Sequence, residues 1–259
     1  MGDTVRKEDV VQEVEGKEIP IEFREDNVVG VKFREVKKRK HKPSGRSNRT
    51  NAIKEKDDIE AAKEWFLTQP QRYKNANLNI RNYCLFVFAC NCARRISDIL
   101  DLNVCDVCDA RGNIKKKFII QEHKTDKYAE VFINAAVREA LGQYLELRAD
   151  GDLQKNISGI LTEPLFSSNK GGDKLQRQQA WRIMKTMARE IGLEEKGVNF
   201  APHGCRKTWA YMAIKNNPEN ARVLATVSQA LNHESEATTR RYADITSEDI
   251  EELYESLNL

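Results

Sequence analysis

The segment from Asn77 to Cys92 is the strongest constraint in the chain. It contains Leu85-Phe-Val-Phe-Ala-Cys90, and its apolar residues fall almost all the way round a helical projection. Such a helix is stable in water only when other elements cover it on every side. Six apolar residues in a row are far short of the roughly 20 needed to span a membrane. The rest of the chain must therefore wrap this helix. Its 259 residues, 40% hydrophobic and 32% charged, suit a soluble globular protein and exclude collagen-like, mucin-like and wholly disordered classes.

Periodicity supplies the wrapping elements. A helix capped by Asp57 or Asp58 should run through Trp65 and Phe66, and others are expected over 135–148, 176–191, 203–215 and 218–231 and just before Tyr242. A last helix, from Ser247 to Leu257, places Ile250, Leu253, Tyr254 and Leu257 at helical spacing. Three short segments read as strands: 104–107, 118–120 and 131–133, the last two flanking a loop at His123-Lys124-Thr125-Asp126. The expectation is a mainly α (α+β) domain over 57–259 with a small three-stranded antiparallel sheet. In front of it, 19–23 and 29–33 alternate as strands do, but a hairpin that short is marginally stable alone.

The formal net charge of +3 conceals strong local fields. Residues 1–31 carry −5, residues 32–56 carry +9, residues 57–243 carry +5 and residues 244–259 carry −6. The basic run includes Lys37, Lys38, Arg39 and Lys40 and has little to bury, so residues 1–56 read as an acidic-then-basic arm. No signal peptide opens the sequence, and a cytoplasmic location is expected. The cysteines Cys84, Cys90, Cys92, Cys105, Cys108 and Cys205 are then expected to be thiols. Cys90-x-Cys92 with Cys105-x-x-Cys108 superficially resembles a zinc pattern. Two helical positions separated by one residue point apart, however, so buried thiols are preferred and no metal is expected.

Four local clusters carry polar chemistry: Arg95-Ile-Ser-Asp98, Lys124 at the hairpin tip, His203-Gly-Cys-Arg206, and Leu231-Asn-His233 with Tyr242 nine residues on. Each has an ordinary reading. Arg95 and Asp98 could be an i, i+3 ion pair worth about 0.2–0.5 kcal/mol, Lys124 a solvated lysine, and Tyr242 a half-buried aromatic. Together, and in this order over some 150 residues, they resemble the catalytic domain of the tyrosine recombinase, or phage integrase, family. The resemblance rests on Arg95-Ile-Ser-Asp-Ile-Leu, His-Lys124-Thr-Asp-Lys, Pro-His203-Gly-Cys-Arg206-Lys-Thr and Leu-Asn-His233-Glu-Ser-Glu-Ala-Thr-Thr-Arg-Arg-Tyr242.

The resemblance implies a DNA strand-exchange enzyme acting through a 3′-phosphotyrosine linkage. Tyr242 would be the nucleophile, His203 its acid/base partner, Lys124 the general acid for the departing 5′-oxygen, and His233 a donor to a non-bridging oxygen. Arg95 and Arg206 would hold the phosphate, for which a planar, permanently charged guanidinium is suited. Asp98 would orient a histidine or an arginine. The chemistry calls for neither ATP nor a divalent ion. Double-stranded DNA is the expected partner, with Lys127, Arg177, Lys207, Arg240 and Arg241 as backbone contacts beside the arm lysines and arginine. The helix from Ser247 to Leu257 would dock either on its own domain or on a neighbouring protomer. Nucleoid association, and integration, excision or inversion of a mobile element, are expected roles. Two alternatives are a type IB topoisomerase-like nicking and resealing activity, and a non-catalytic DNA-binding protein.

The chain departs from the family pattern at Ala93 and Asn232, where glycine is usual, and at Lys207, where histidine is frequent. Its first 56 residues are also too few for the helical core-binding domain that most members carry ahead of the catalytic domain.

Overall fold

The computed structural model describes residues 11–14, 17–20, 49–68, 76–168, 173–233 and 235–243. The chain divides into two units, residues 1–48 and 49–259. In the first, strands β1 (Val11–Val14) and β2 (Lys17–Pro20) pair antiparallel, with Val11 opposite Pro20. This hairpin meets the expected 19–23 strand only at its end. The 29–33 segment and Lys37, Lys38, Arg39 and Lys40 lie outside the described residues.

The second unit begins at Arg49, so the end of the stretch read as an arm is built into it. The Asn51 N–H donates to the Asn199 carbonyl (2.9 Å), and fully buried Ile53 donates its N–H to Thr208 Oγ1 (2.8 Å). Helix α1 (Lys56–Thr68) follows, with Asp57 and Asp58 in its first turn, where carboxylates favour the helix dipole. Helix α2 (Ala76–Asn91) is the centre of the domain: Cys84 to Ala89 are six consecutive residues, none more than 2% exposed. Phe86 meets Phe66 of α1 and Phe200 at ring separations of 5.6 and 6.3 Å. Phe88 meets Phe118 and Phe166 at 6.0 and 5.9 Å. Neighbours on every side account for a helix with no polar face.

Two short helices, α3 (Ile96–Leu100) and α4 (Val104–Val107), lead to strands β3 (Lys117–Gln121) and β4 (Tyr128–Phe132). The expected third strand at 104–107 is thus one turn of helix. Val-Cys-Asp-Val has strand-like composition, but Asn103 and Asp106 form a capping box, the Asn103 N–H donating to Asp106 Oδ2 at 2.7 Å. What remains of that strand among the described residues is a single bridge, Cys108 to Ile114. β3 and β4 pair with Lys117 opposite Phe132 and Gln121 opposite Tyr128, turning Phe118, Ile120 and Val131 into the core.

Helix α5 (Ala135–Arg148) has the predicted bounds, its N-cap Asn134 accepting the Val137 N–H at 3.0 Å. Helix α6 (Leu153–Ile160) was not expected; only Leu153 and Ile157 are buried in it, too few to show a period, and Asp152 caps it. Helices α7 (Arg177–Glu190) and α8 (Pro202–Lys215) lie where expected. Helix α9 (Val223–Ala230) is shorter than the predicted 218–231, because Asn220 Oδ1 accepts the Arg222 N–H and holds a turn there. Helix α10 (Glu236–Tyr242) ends on the tyrosine. Its environment is a small core of its own: Ala93, Ala210, Val227, Leu231 and Ala243, with Tyr242 packed against it. The helix expected from Ser247 to Leu257 lies outside the described residues.

Among the described residues no helix is long and apolar enough to cross a membrane, and no group of three or more His, Cys, Asp or Glu side chains is placed to hold a metal ion. All six cysteines are free thiols. Burial pushes the Cys84 thiol up and the Cys92 thiol to about 12.

Gly204, in the first turn of α8, shows how tightly the start of this helix is seated. A Cβ there would lie 2.6 Å from the Asn51 carbonyl oxygen and 2.7 Å from the Phe200 ring. Gly204→Ala should therefore destabilise the domain by about 1–3 kcal/mol, the usual range for overpacking, read as a lowered midpoint in urea. An unchanged midpoint would mean that α8 can shift freely.

Candidate active site

An open cleft of about 1030 Å³ runs between the α3 N-terminus, the β3–β4 tip, α7 and the start of α8. Arg95, Lys124, His203 and Arg206 line it, together with Arg177 and Trp181. Tyr242 is not among the lining residues but packs against His203. Its ring sits edge-on between two imidazoles, 5.3 Å from His203 and 4.9 Å from His233. The Arg206 guanidinium lies 5.9 Å from the same ring centroid and the Lys207 ammonium 5.7 Å. The Tyr242 hydroxyl is buried.

Local backbone geometry sets these groups in place. At the end of α9, Asn232 adopts a left-handed conformation (φ 52°), and the His233 N–H bonds back to the Ser228 carbonyl at 3.0 Å, closing the helix and turning the chain toward α10. His233 Nδ1 pairs with Thr239 Oγ1 at 3.0 Å, which fixes the ring against the helix that carries Tyr242. Ala93, after α2, is likewise left-handed (φ 55°) and immediately precedes Arg94 and Arg95. Both departures from the glycine pattern thus fall on backbone that favours glycine. Asn tolerates this conformation well; Ala does so at a cost.

Arg206 is 2% exposed, donates Nη2 to the Leu231 carbonyl at 2.6 Å, and has a buried Nε that finds no hydrogen-bond partner among the described residues. Its guanidinium therefore ties α8 to the loop that carries His233. Arg95 does not pair with Asp98. It donates Nη1 to Glu122 Oε2 at 2.9 Å. Asp98 instead accepts the His123 N–H (3.4 Å) and the Ser97 hydroxyl (3.3 Å), so it supports the hairpin tip rather than an arginine or a histidine ring.

The sequence reading missed Glu122 and Arg94. Glu122 is fully buried and accepts from Arg94, Arg95 and Thr125. Burial alone would raise its pKa, but the hydrogen bonds from Thr125 and Arg95, with the charge of Arg95, outweigh that and hold it at about 2. Arg94, 4% exposed, also donates to the Ala230 carbonyl at the end of α9. Neither residue belongs to an apolar period. The one available signal was an acid directly after the apolar strand and two residues before Lys124.

Of the expected DNA contacts, Lys127, Arg177, Arg240 and Arg241 are exposed. Lys207 is not: it is 4% exposed, inside the domain below Tyr242, because the α8 face that bears it turns toward the small C-terminal core.

Desolvation by the cleft wall, then Arg206, Lys207 and Arg95, lower the His203 pKa from 6.5 to about 4, although the residue is exposed to solvent. Desolvation and Arg206 lower that of His233 as well. The unfolded chain therefore takes up these protons first, and stability should fall as the pH drops from about 6.5 toward 4. A midpoint for His203 near 4 in an NMR titration of the DNA-free protein is the expected result; one near 6.5 would contradict the arrangement.

A helical domain with a guanidinium-lined cleft, two imidazoles and a tyrosine on a short C-terminal helix defines the class of the tyrosine recombinases. The profile of the Phage integrase family matches residues 58–249, and the chain belongs to that family. It is 34% identical over 169 residues to the probable integrase/recombinase YoeC of Bacillus subtilis (strain 168), covering 65% of this chain and 80% of that one. It is 27% identical over 177 residues to tyrosine recombinase XerD of Mycobacterium leprae (strain TN), covering 68% of this chain but 52% of the relative, so it spans about half of that protein. Among solved structures, XerA recombinase superposes with a TM-score of 0.58 at 20% identity, covering 81% of this chain and 65% of XerA. XerH site-specific recombinase, in a post-cleavage complex with its palindromic difH substrate, gives 0.56 at 21% identity, covering 80% and 53%. These likenesses establish the fold.

Proposed function

We propose that the protein is a site-specific DNA recombinase that cleaves and rejoins strands through Tyr242. The observation that carries the reading is the Tyr242 ring held between His203 and His233 beside Arg206. The Tyr242 oxygen attacks phosphorus and the bond to the 5′-oxygen breaks. His203, neutral at physiological pH, takes the phenolic proton, and Lys124 delivers a proton to the departing oxygen. Arg95, Arg206 and His233 meet the charge that develops on the non-bridging oxygens. Arg206 Nε, which has no partner among the described residues, is a donor that such an oxyanion would satisfy. The 3′-phosphotyrosine keeps the energy of the broken bond, so a 5′-hydroxyl can reverse the step. Asp98 serves by supporting the tip that carries Lys124.

Double-stranded DNA as partner accords with the +5 of residues 57–243 and with the cations at the cleft rim. Lys127, Arg177, Arg240 and Arg241, with Lys37, Lys38, Arg39 and Lys40 of the arm, are the proposed backbone contacts. Binding should weaken steeply with salt. Self-association on DNA through residues 247–257, action on a mobile element, and a place in the cytoplasm at the nucleoid complete the reading.

The test is a pool of duplexes, each carrying one nick and randomised flanks, from which SDS-resistant protein–DNA adducts are recovered and sequenced. Adducts attached at Tyr242 are expected. A pool that yields none would sink the reading.

A further inference from the structure

We propose that Glu122 is a positioning residue that fastens the tip of the β3–β4 hairpin, and with it Lys124, to Arg95. This rests on the recombinase reading and goes beyond it, because it assigns a role to a carboxylate that neither attacks, protonates nor binds phosphate.

The hairpin tip has little of its own to hold it. His123, Lys124, Asp126 and Lys127 are exposed, and a lysine on a loose five-residue turn would sweep a wide volume. Glu122 sits at the base of that turn and closes it twice through the backbone: its N–H donates to the Lys127 carbonyl at 2.9 Å, and its carbonyl accepts the Asp126 N–H at 2.8 Å. Its side chain points inward, fully buried. Oε1 accepts from Arg94 Nη1 at 2.8 Å, and Oε2 from Arg95 Nη1 at 2.9 Å and from the Thr125 hydroxyl at 2.7 Å. One carboxylate oxygen therefore joins the residue after Lys124 to the first phosphate-binding guanidinium.

A buried charge persists only where partners compensate it, and here cations and hydroxyl do so together. The low pKa of Glu122 keeps the clamp ionised throughout the range in which the enzyme would work. Arg94 extends the same network to the Ala230 carbonyl, one residue before the Leu231 carbonyl that Arg206 holds. The leaving-group side of the cleft is thereby tied to the side that presents the tyrosine. The other tethers of the tip are weaker or more exposed: a 3.4 Å contact from the His123 N–H to Asp98, the His123 ring on Asp101 at the rim, and an exposed bond from Gln121 Nε2 to Asp126 Oδ1 at 2.6 Å.

The role can be read chemically. If Glu122 places the proton donor, its loss should matter only when the leaving oxygen needs a proton. A substrate with sulfur in place of the bridging 5′-oxygen departs as a thiolate and needs none. The experiment compares single-turnover adduct formation on a duplex recovered from the nicked pool, with oxygen or with sulfur at that position, for wild type, Glu122→Gln, Thr125→Val and Lys124→Ala.

Glu122→Gln is expected to slow cleavage of the oxygen substrate about 10–100-fold, part of what a general acid contributes, and that of the sulfur substrate less than about threefold. Thr125→Val keeps both arginine pairs and removes only the link to the tip, so it should show the same pattern at about 3–10-fold. It lies on an exposed turn and serves as the informative variant should Glu122→Gln fail to fold. DNA affinity by fluorescence anisotropy should change little in either. Equal slowing on both substrates, or wild-type rates in Thr125→Val on the oxygen substrate, would overturn the clamp. Failure of sulfur to rescue Lys124→Ala would remove Lys124 as the proton donor and the clamp with it, whereas failure of wild type to form any adduct would instead overturn the recombinase reading on which the clamp depends.

Discussion

Tyr242→Phe is expected to abolish the SDS-resistant adduct on nicked duplexes while leaving the fold and DNA binding intact. Only the hydroxyl is removed. The ring keeps its edge contacts with His203 and His233 and its place beside Arg206, and the small core around Ala210, Val227 and Leu231 is untouched. Loss of a covalent nucleophile that works as a unit with its partners typically costs ~10³-fold or more, so nothing above background should appear on a gel. A filter-binding curve close to that of wild type would show that chemistry alone was lost. Persistence of the adduct would place the nucleophile on another residue and undo the assignment of the whole cleft.

Arg206→Ala should give the second large effect, and it should be double. Removing a preorganised donor to the phosphoryl oxygens is expected to slow adduct formation about 10²–10³-fold. The same guanidinium holds the Leu231 carbonyl at 2.6 Å in a buried position, and a hydrogen bond to a charged group contributes about 1.5–3 kcal/mol. The melting temperature should therefore drop by several degrees, and the loop bearing His233 should loosen. Arg206→Lys separates the two roles. A lysine keeps the charge and can recover part of the stability, but a point charge cannot reproduce the planar fork, so cleavage should stay at least about tenfold slow. Cleavage by Arg206→Ala within about threefold of wild type, measured in single turnover, would remove this arginine from the chemistry.

The parts of the fold that could be read from the residues are those governed by local period or local capping. Helix α2 announces itself as buried because six consecutive apolar residues leave no polar face, and the structure surrounds them with Phe66, Phe118, Phe166 and Phe200. Helix α5 was placed to the residue by its apolar stripe. The segment 104–107 misled because β-branched content and a side-chain capping box compete over four residues, and the cap won. Helix α6 carries only two buried residues, which define no period.

The site divides in the same way. The family resemblance singled out Arg95, Lys124, His203, Arg206, His233 and Tyr242; the structure lines one cleft with Arg95, Lys124, His203 and Arg206 and packs Tyr242 against His203 and His233. Three things were decided only in three dimensions. Lys207 lies beneath Tyr242 rather than on the surface. Asp98 holds the backbone of the hairpin tip. Glu122, 27 residues from Arg95 in the chain, joins that arginine to the loop of Lys124. A sequence determines by itself what short-range period, capping and residue chemistry can express. Which buried carboxylate meets which guanidinium depends on where two distant segments end after the core has closed around α2, and that is settled by packing, not by spacing along the chain.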